Sequence, residues 1–252
     1  TKIEKLDKLK IRLDELLVER GLVESRSQAK GFILAGKVFS NENRLEKVGK
    51  IVDYDVPLAI KGKDHAWVSR GGLKIDYAIS YFGFDVGERV CLDLGASTGG
   101  FTHVLIERGA KKVYAVDVGY GQLDWKIRNL AEVVVVERTN ARFLTNTEIP
   151  EPISFLCCDA SFISLTKILP NSMGLVDSGG VLLALVKPQF ELDRKLVGKN
   201  GIIKDRSKHQ LACKKIYDWL DSFPNWSPIG IIESPIKGAK GNTEFFIAAS
   251  KL

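Results

Sequence analysis

Apolar positions change their period part-way along this chain, and the change divides it in two. In Ile11–Arg20 (IRLDELLVER), Leu13, Leu16 and Leu17 recur at helical spacing and Gly21 closes the segment, which predicts a short helix. Ser25 opens a second one, SRSQAKGFILAGKV. Gln28 stands three residues on in a capping-box pattern, and Ala29, Phe32 and Ile33 form the apolar face. Short strand-like pieces follow at Val38-Phe39 and Val56–Ile60. From Gly71 the pattern is different. Leu73–Phe82 reads as a helix, and then Val90–Leu94, Val113–Val116, Val133–Val136, Ile153–Cys158 and Val181–Val186 are continuous apolar runs of strand length. Helical segments separate them, so a parallel sheet covered on both faces is expected. Ile229–Glu233 and Phe245–Ala249 have no helix between them, and their link, Ser234–Asn242, suits an antiparallel closure.

A parallel sheet finished by one antiparallel strand is the arrangement of class I methyltransferases rather than of dehydrogenases. The expected fold is therefore α/β, a class I Rossmann-like sheet of seven strands, preceded by a small α+β unit. The expected division is residues 1–63 for the small unit, 64–70 for a linker and 71–252 for the sheet domain. A length of 252 residues accommodates that pair.

Charge adds a partner to this picture. The net charge is +6, and residues 1–63 hold 14 Lys+Arg against 10 Asp+Glu, leaving 23 against 21 for the remainder. The basic excess is concentrated in the small unit, which points to an anionic partner for that unit. Four cysteines without C-x-x-C spacing exclude a disulfide framework and argue against a zinc site, and the scattered histidines His65, His103 and His209 suggest no metal centre either. Thr1–Lys10 is charged throughout, unlike a signal peptide, and the apolar runs fall short of the roughly 20 residues of a membrane helix. A cytoplasmic protein with no membrane partner is expected.

The chemistry is concentrated in Leu92–Thr102, LDLGASTGGFT. A strand ends at Asp93, and Gly95, Gly99 and Gly100 then supply bare backbone leading into a helix, where a nucleoside-bearing ligand can approach amide groups. The spacing is not the G-x-G-x-x-G of a dinucleotide site. Asp117 follows 22 residues after Gly95, at the end of the next strand, where a carboxylate can accept ribose hydroxyls.

LDLGASTGGFT, preceded by WVSRGGLK and followed by AVDVG, RTNAR, CCDASFIS, LVKPQFE and GNTEFF, resembles the TlyA family over essentially the whole chain. Those proteins are S4-domain ribosomal-RNA cytidine 2′-O-methyltransferases, often labelled hemolysins. The resemblance implies an S4 RNA-binding fold at 1–63 and an FtsJ-like catalytic domain from about residue 70. It implies S-adenosyl-L-methionine as cofactor and ribosomal RNA or ribosomal subunits as partner. The family's Lys-Asp-Lys-Glu tetrad falls on Lys74, Asp159, Lys187 and Glu244. Cofactor contacts fall on Asp93, Gly95, Ala96, Ser97, Gly99, Gly100, Phe101, Asp117, Asn140 and Asp159. His65 stands where the family pattern has arginine before Ala-Trp.

The tetrad suits ribose methylation. A 2′-hydroxyl is a poor nucleophile whose proton must leave as the oxygen attacks, and in-line alignment supplies much of the rate. A lysine serves as base only where burial and neighbouring positive charge favour the neutral amine. Asp159 and Glu244 would orient the two lysines. No cysteine follows the proline or threonine that base methylation by a cysteine nucleophile uses, and DASF replaces the Asp/Asn-Pro-Pro-aromatic run of amino-group methylation. Arg12, Arg26, Lys30 and Lys37 are the candidate phosphate contacts of the small unit. Trp67 fits either stacking on a base or packing at the junction, and Lys195–Asp205 either a flap or a crossover loop. A membrane-lytic activity finds no spanning or strongly amphipathic apolar segment to support it.

Overall fold

Continuous runs of valine, isoleucine and leucine are stable as strands only where both faces of a sheet are covered. The computed structural model of the chain, which describes residues 10–23, 25–61, 65–198 and 201–252, uses them in that way. The small unit comes first: β1 (Lys10–Arg12), α1 (Leu13–Glu19), α2 (Arg26–Leu34), β2 (Val38–Ser40), β3 (Asn43–Arg44), β4 (Ile51–Asp53) and β5 (Ala59–Ile60). The second unit then runs α3 (Gly71–Phe82), β6 (Val90–Leu94), α4 (Gly100–Glu107), β7 (Lys112–Val116), α5 (Trp125–Arg128) and β8 (Val133–Val136). It continues with β9 (Ile153–Cys158), α6 (Leu165–Gly174), β10 (Val176–Val186), α7 (Pro188–Glu191), α8 (Arg206–Asp221), β11 (Trp226–Glu233) and β12 (Phe245–Lys251).

Seven strands lie in the order β11-β12-β10-β9-β6-β7-β8. The pairs β10–β9, β9–β6, β6–β7 and β7–β8 are parallel, and β12 runs antiparallel between β10 and β11. This is the expected class I sheet, with the reversed strand inserted inside the edge rather than placed on it. Alternation along the strands sends Cys91, Phe155, Leu183 and Phe246 toward α3 and α4, and Leu92, Leu156, Leu182 and Ile247 toward α6 and α8. Each fully buried Leu or Ile contributes about 1.5–3 kcal/mol relative to exposure. Two such layers therefore hold the carboxyl ends of the strands rigidly, which is where the site will be found.

The small unit has its own core of Leu13, Leu16, Leu17, Ala29, Ile33 and Val38. Ser25 caps α2 as its spacing predicts, accepting from the backbone of Gln28 at 3.2 Å. Two expectations shift. The first helix starts at Leu13 rather than Ile11, because Lys10–Arg12 pairs antiparallel with β4. Of Val56–Ile60, only Ala59–Ile60 enters a sheet, against β2. Tertiary pairing overrides local pattern at both places. The boundary expected at residues 63–64 lies outside the described residues. The connector beyond it is packed: Trp67 lies over Gly72, meets His103 edge-to-face at 5.4 Å, and the amide of Val68 donates to His103 Nδ1 at 3.2 Å. Trp67 is thus a packing residue at the junction.

Candidate active site

Two glycine contacts bring the site together. A Cβ on Gly100 would lie 2.2 Å from Ser69 Oγ and 2.9 Å from the backbone nitrogen of Gly72, so only glycine lets the start of α4 sit against the start of α3. A Cβ on Gly95, which has φ +78°, would lie 2.9 Å from the carbonyl oxygen of Asp159. The loop after β6 therefore rests directly on the backbone after β9. Any ligand cradled by that loop lies beside Asp159, and α3 carries Lys74 to the same place.

The four tetrad residues converge from four distant segments. Lys74 Nζ donates to Glu244 Oε2 at 2.7 Å and stands 3.6 Å from Asp159 Oδ2. Lys187 Nζ lies 2.5 Å from Asp159 Oδ1 and 3.0 Å from Ser161 Oγ. Lys74, Lys187 and Glu244 are 7%, 6% and 2% exposed. Burial by itself would raise the Asp159 carboxyl, but Lys187 and then Lys74 hold it well below the ordinary carboxylate range. Burial likewise works against a charged Lys74, yet Asp159 and Glu244 outweigh it and raise that ammonium's pKa. Lys74 is therefore held as a cation, and two lysines face two carboxylates in a nearly dry pocket.

The loop of the expected cofactor site is held from below. Gly95 and Ala96 donate backbone bonds to Val116 O at 2.9 and 3.1 Å. Asp117 takes the amide of Ser97 on one oxygen (2.8 Å) and that of Gly119 on the other (2.7 Å). Each carboxylate oxygen has a second lone pair for a ribose hydroxyl. Gly99, at φ +94°, leads into the N-terminus of α4. A cradle of bare backbone with the Asp117 carboxylate on one side and Asp159 on the other has the chemistry to accept a nucleoside sulfonium.

Three of the expected contacts sit behind or beside the loop. Asp93 is fully buried behind the loop, accepting from Thr102 Oγ1 at 2.7 Å and from the Cys157 thiol at 3.7 Å. Burial pushes its carboxyl up to about 7. The Phe101 ring faces the core, stacked on Phe246 at 6.2 Å. Asn140 sits at the surface and uses Oδ1 to cap the turn at Ala141–Phe143. Asp93 and Phe101 pack behind the loop, and Asn140 caps the turn beside it.

The sequence reading also missed contributors. Ser161 is the second partner of Lys187. Phe162 follows at φ +65° and 89% exposure, its ring 5.1 Å from Phe190, an open aromatic surface beside the tetrad. Asn242 is buried and ties the segment before α8 to the Glu244 strand, accepting from Ile203 N at 3.0 Å and donating to Gly201 O at 2.9 Å. Of the expected flap or crossover, Lys199 and Asn200 lie outside the described residues, while Ile203 is buried and fastened. Thr98 Oγ1 donates to the carbonyl of Arg20 at 2.8 Å, so the small unit touches the cradle itself. In that unit Arg12 and Arg26 share the carboxylate of Asp14, at 3.0 and 2.6 Å, while Lys30 and Lys37 are exposed.

With this geometry in hand, the likenesses to known proteins are specific. The sequence pattern of the FtsJ-like methyltransferases matches residues 67–251, and that of the S4 domain matches residues 11–54. The 16S/23S rRNA (cytidine-2′-O)-methyltransferase TlyA of Mycobacterium tuberculosis is 42% identical over 94% of this chain and 88% of its own length. The chain belongs to the TlyA family. A Bacillus subtilis relative, YqxC, described as a candidate rRNA methyltransferase, is 47% identical over 94% of this chain and 85% of its own length. Among solved structures, a protein from Streptococcus thermophilus described as a candidate hemolysin superposes with a TM-score of 0.80 at 41% identity. That match covers 96% of this chain and 88% of the other. The hemolysin name therefore travels with a TlyA fold built for methyl transfer. No helix among the described residues is long and apolar enough to cross a membrane.

Proposed function

We propose that this TlyA-family chain transfers a methyl group from S-adenosyl-L-methionine to a ribose 2′-hydroxyl of cytidine in ribosomal RNA, acting in the cytoplasm on RNA or ribosomal subunits. The observation that carries the reading is the tetrad: Lys74, Asp159, Lys187 and Glu244 gathered within ion-pair distance beside the Gly95 cradle. The cofactor, when bound, supplies an electrophilic methyl on a sulfonium. Gly95–Gly100 and Asp117 would hold its nucleoside.

The chain's own residues do the rest. Glu244 and Asp159 fix Lys74 as a permanent cation facing the pocket. Asp159 and Ser161 aim Lys187 Nζ, which would take the proton of the 2′-hydroxyl as that oxygen accepts the methyl group. Acting as base requires the neutral amine of lysine. The exposed Phe162 ring offers the target base a stacking surface. Residues 1–63 would dock RNA through Arg12, Arg26, Lys30 and Lys37, residues 64–70 would join the units, and residues 71–252 would carry the chemistry. The test is transfer of a labelled methyl from cofactor to ribosomal subunits, followed by alkaline hydrolysis. An alkali-resistant linkage at a cytidine is expected. Label released as a methylated base, or no transfer at all, overturns the reading.

A further inference from the structure

A second cleft opens on the far side of the Glu244 strand. It has a volume of about 570 Å³ and lies between the first turns of α8 and the ends of β11 and β12. Its floor is Ile231 and Phe245; His209 lies against Phe245 with ring centroids 5.5 Å apart. Its walls carry Lys204, Arg206 and Lys237, with one carboxylate, Glu233. Lys237 is occupied, donating to Glu233 at 2.8 Å and Thr243 at 3.0 Å. Lys204 and Arg206 are exposed and make no hydrogen bond or ion pair among the described residues.

Register places this cleft on the reaction edge. Phe245 pairs with Val186, so the residue before Phe245 is Glu244 and the residue after Val186 is Lys187. The segment 237–245 presents Glu244 to Lys74 on one side and Thr243 and Phe245 to the cleft on the other. An apolar, aromatic floor beneath two free cations matches a base and its phosphate, and the volume lies in the range of small-ligand sites, about 300–1,000 Å³.

We propose that this cleft seats a second nucleotide of the RNA chain, a neighbour of the methylated one, with its base over Phe245 and its phosphate against Lys204 and Arg206. The proposal rests on the reading of the chain as an RNA methyltransferase. It gives the catalytic domain its own grip on the substrate, separate from the small unit.

The experiment measures methyl transfer to ribosomal subunits by the full chain over a range of salt concentrations. One variant combines Lys204→Glu with Arg206→Glu. Arg206 opens α8, where an acidic side chain is favourable, so folding is preserved. A second, Gln210→Trp, fills the cleft without changing charge. A third, Lys214→Glu, reverses a cation on the same helix that is paired with Asp218 and does not line the cleft. The double reversal is expected to raise KM for subunits about tenfold with kcat nearly unchanged. It should also flatten the dependence of log kcat/KM on log salt by about 0.7, the share of the one single-strand phosphate contact that is lost. Gln210→Trp should raise KM with the slope intact, and Lys214→Glu should do neither. Unchanged KM in either cleft variant overturns the proposal, as does an equal rise with Lys214→Glu. A wild-type chain that methylates no RNA would instead remove the reading on which the proposal rests.

Discussion

The tetrad and the Arg12–Asp14–Arg26 network are made of the same parts, cations shared between carboxylates, and differ in what surrounds them. In the small unit the side chains of Arg12 and Arg26 are 41% and 54% exposed around a buried Asp14. Water and salt screen that network, and exposed pairs of this kind contribute little to stability, about 0–1 kcal/mol. In the catalytic unit no member of the Lys74–Glu244 pair reaches solvent appreciably. Removing one charge there strands the other in a medium that cannot solvate it, which costs about 3–5 kcal/mol. Surface cations can let go of their partners and take a phosphate; the buried ones are committed to each other and to one geometry.

The largest effect is expected at Lys187. Lys187→Arg keeps the charge but places a guanidinium that cannot give up its proton in the working pH range. Single-turnover methyl transfer should fall by about 10² to 10⁴, the usual share of a general base, with cofactor and RNA still bound. A variant that retains a tenth of the rate would make Lys187 a positioning cation, and the buried network would then resemble the surface one.

Glu244→Gln comes next. It leaves Lys74 buried opposite a neutral amide and should destabilise the fold by about 3–5 kcal/mol, measured by chemical denaturation. Adding Lys74→Met should restore much of that stability while leaving the enzyme inactive. If the single change has no greater effect than a surface substitution, the contrast between the two networks fails.

Asp93 sharpens the contrast through pH. Its carboxyl is raised from 3.8 to about 7 by burial. The folded form thus favours the protonated acid, a stabilisation present at low pH and lost as pH rises from about 4 through 7. Three units correspond to at most about 4 kcal/mol. Asp93→Asn, which can still accept from Thr102, should therefore gain stability relative to the wild type as pH rises through that window. A difference between the two proteins that stays flat from pH 4 to 9 would show that the buried acid does not titrate there.

The smallest effect is expected at Arg26. Arg26→Ala should change stability by no more than about 1 kcal/mol. It should weaken RNA binding only severalfold and reduce the salt slope by about one.

Much of this was legible beforehand because it is written in local pattern. Buried parallel strands need continuous apolar runs, and the cradle needs glycine at 95, 99 and 100, so both could be read directly. The tetrad came through resemblance, since nothing in local spacing connects Lys74 to Glu244. What stayed hidden depends on side-chain direction and on backbone values that non-glycine residues rarely adopt. The resemblance placed Asp93 among the cofactor contacts without showing that strand parity turns its side chain inward with Cys91 and Cys157. Phe162 combines a positive φ with an exposed ring, which no pattern announces. Ser161 and Asn242 act through partners 26 and 39 residues away.

The placement of β12 has a consequence for how the protein is made. It follows β11 in the chain, yet in the sheet it lies between β11 and β10. β11 pairs only with β12, so it joins the sheet through the later strand. Glu244 arrives in that same step and closes on Lys74 across 170 residues. Such long-range closure comes late in folding. Catalytic competence and completion of the sheet are therefore a single event.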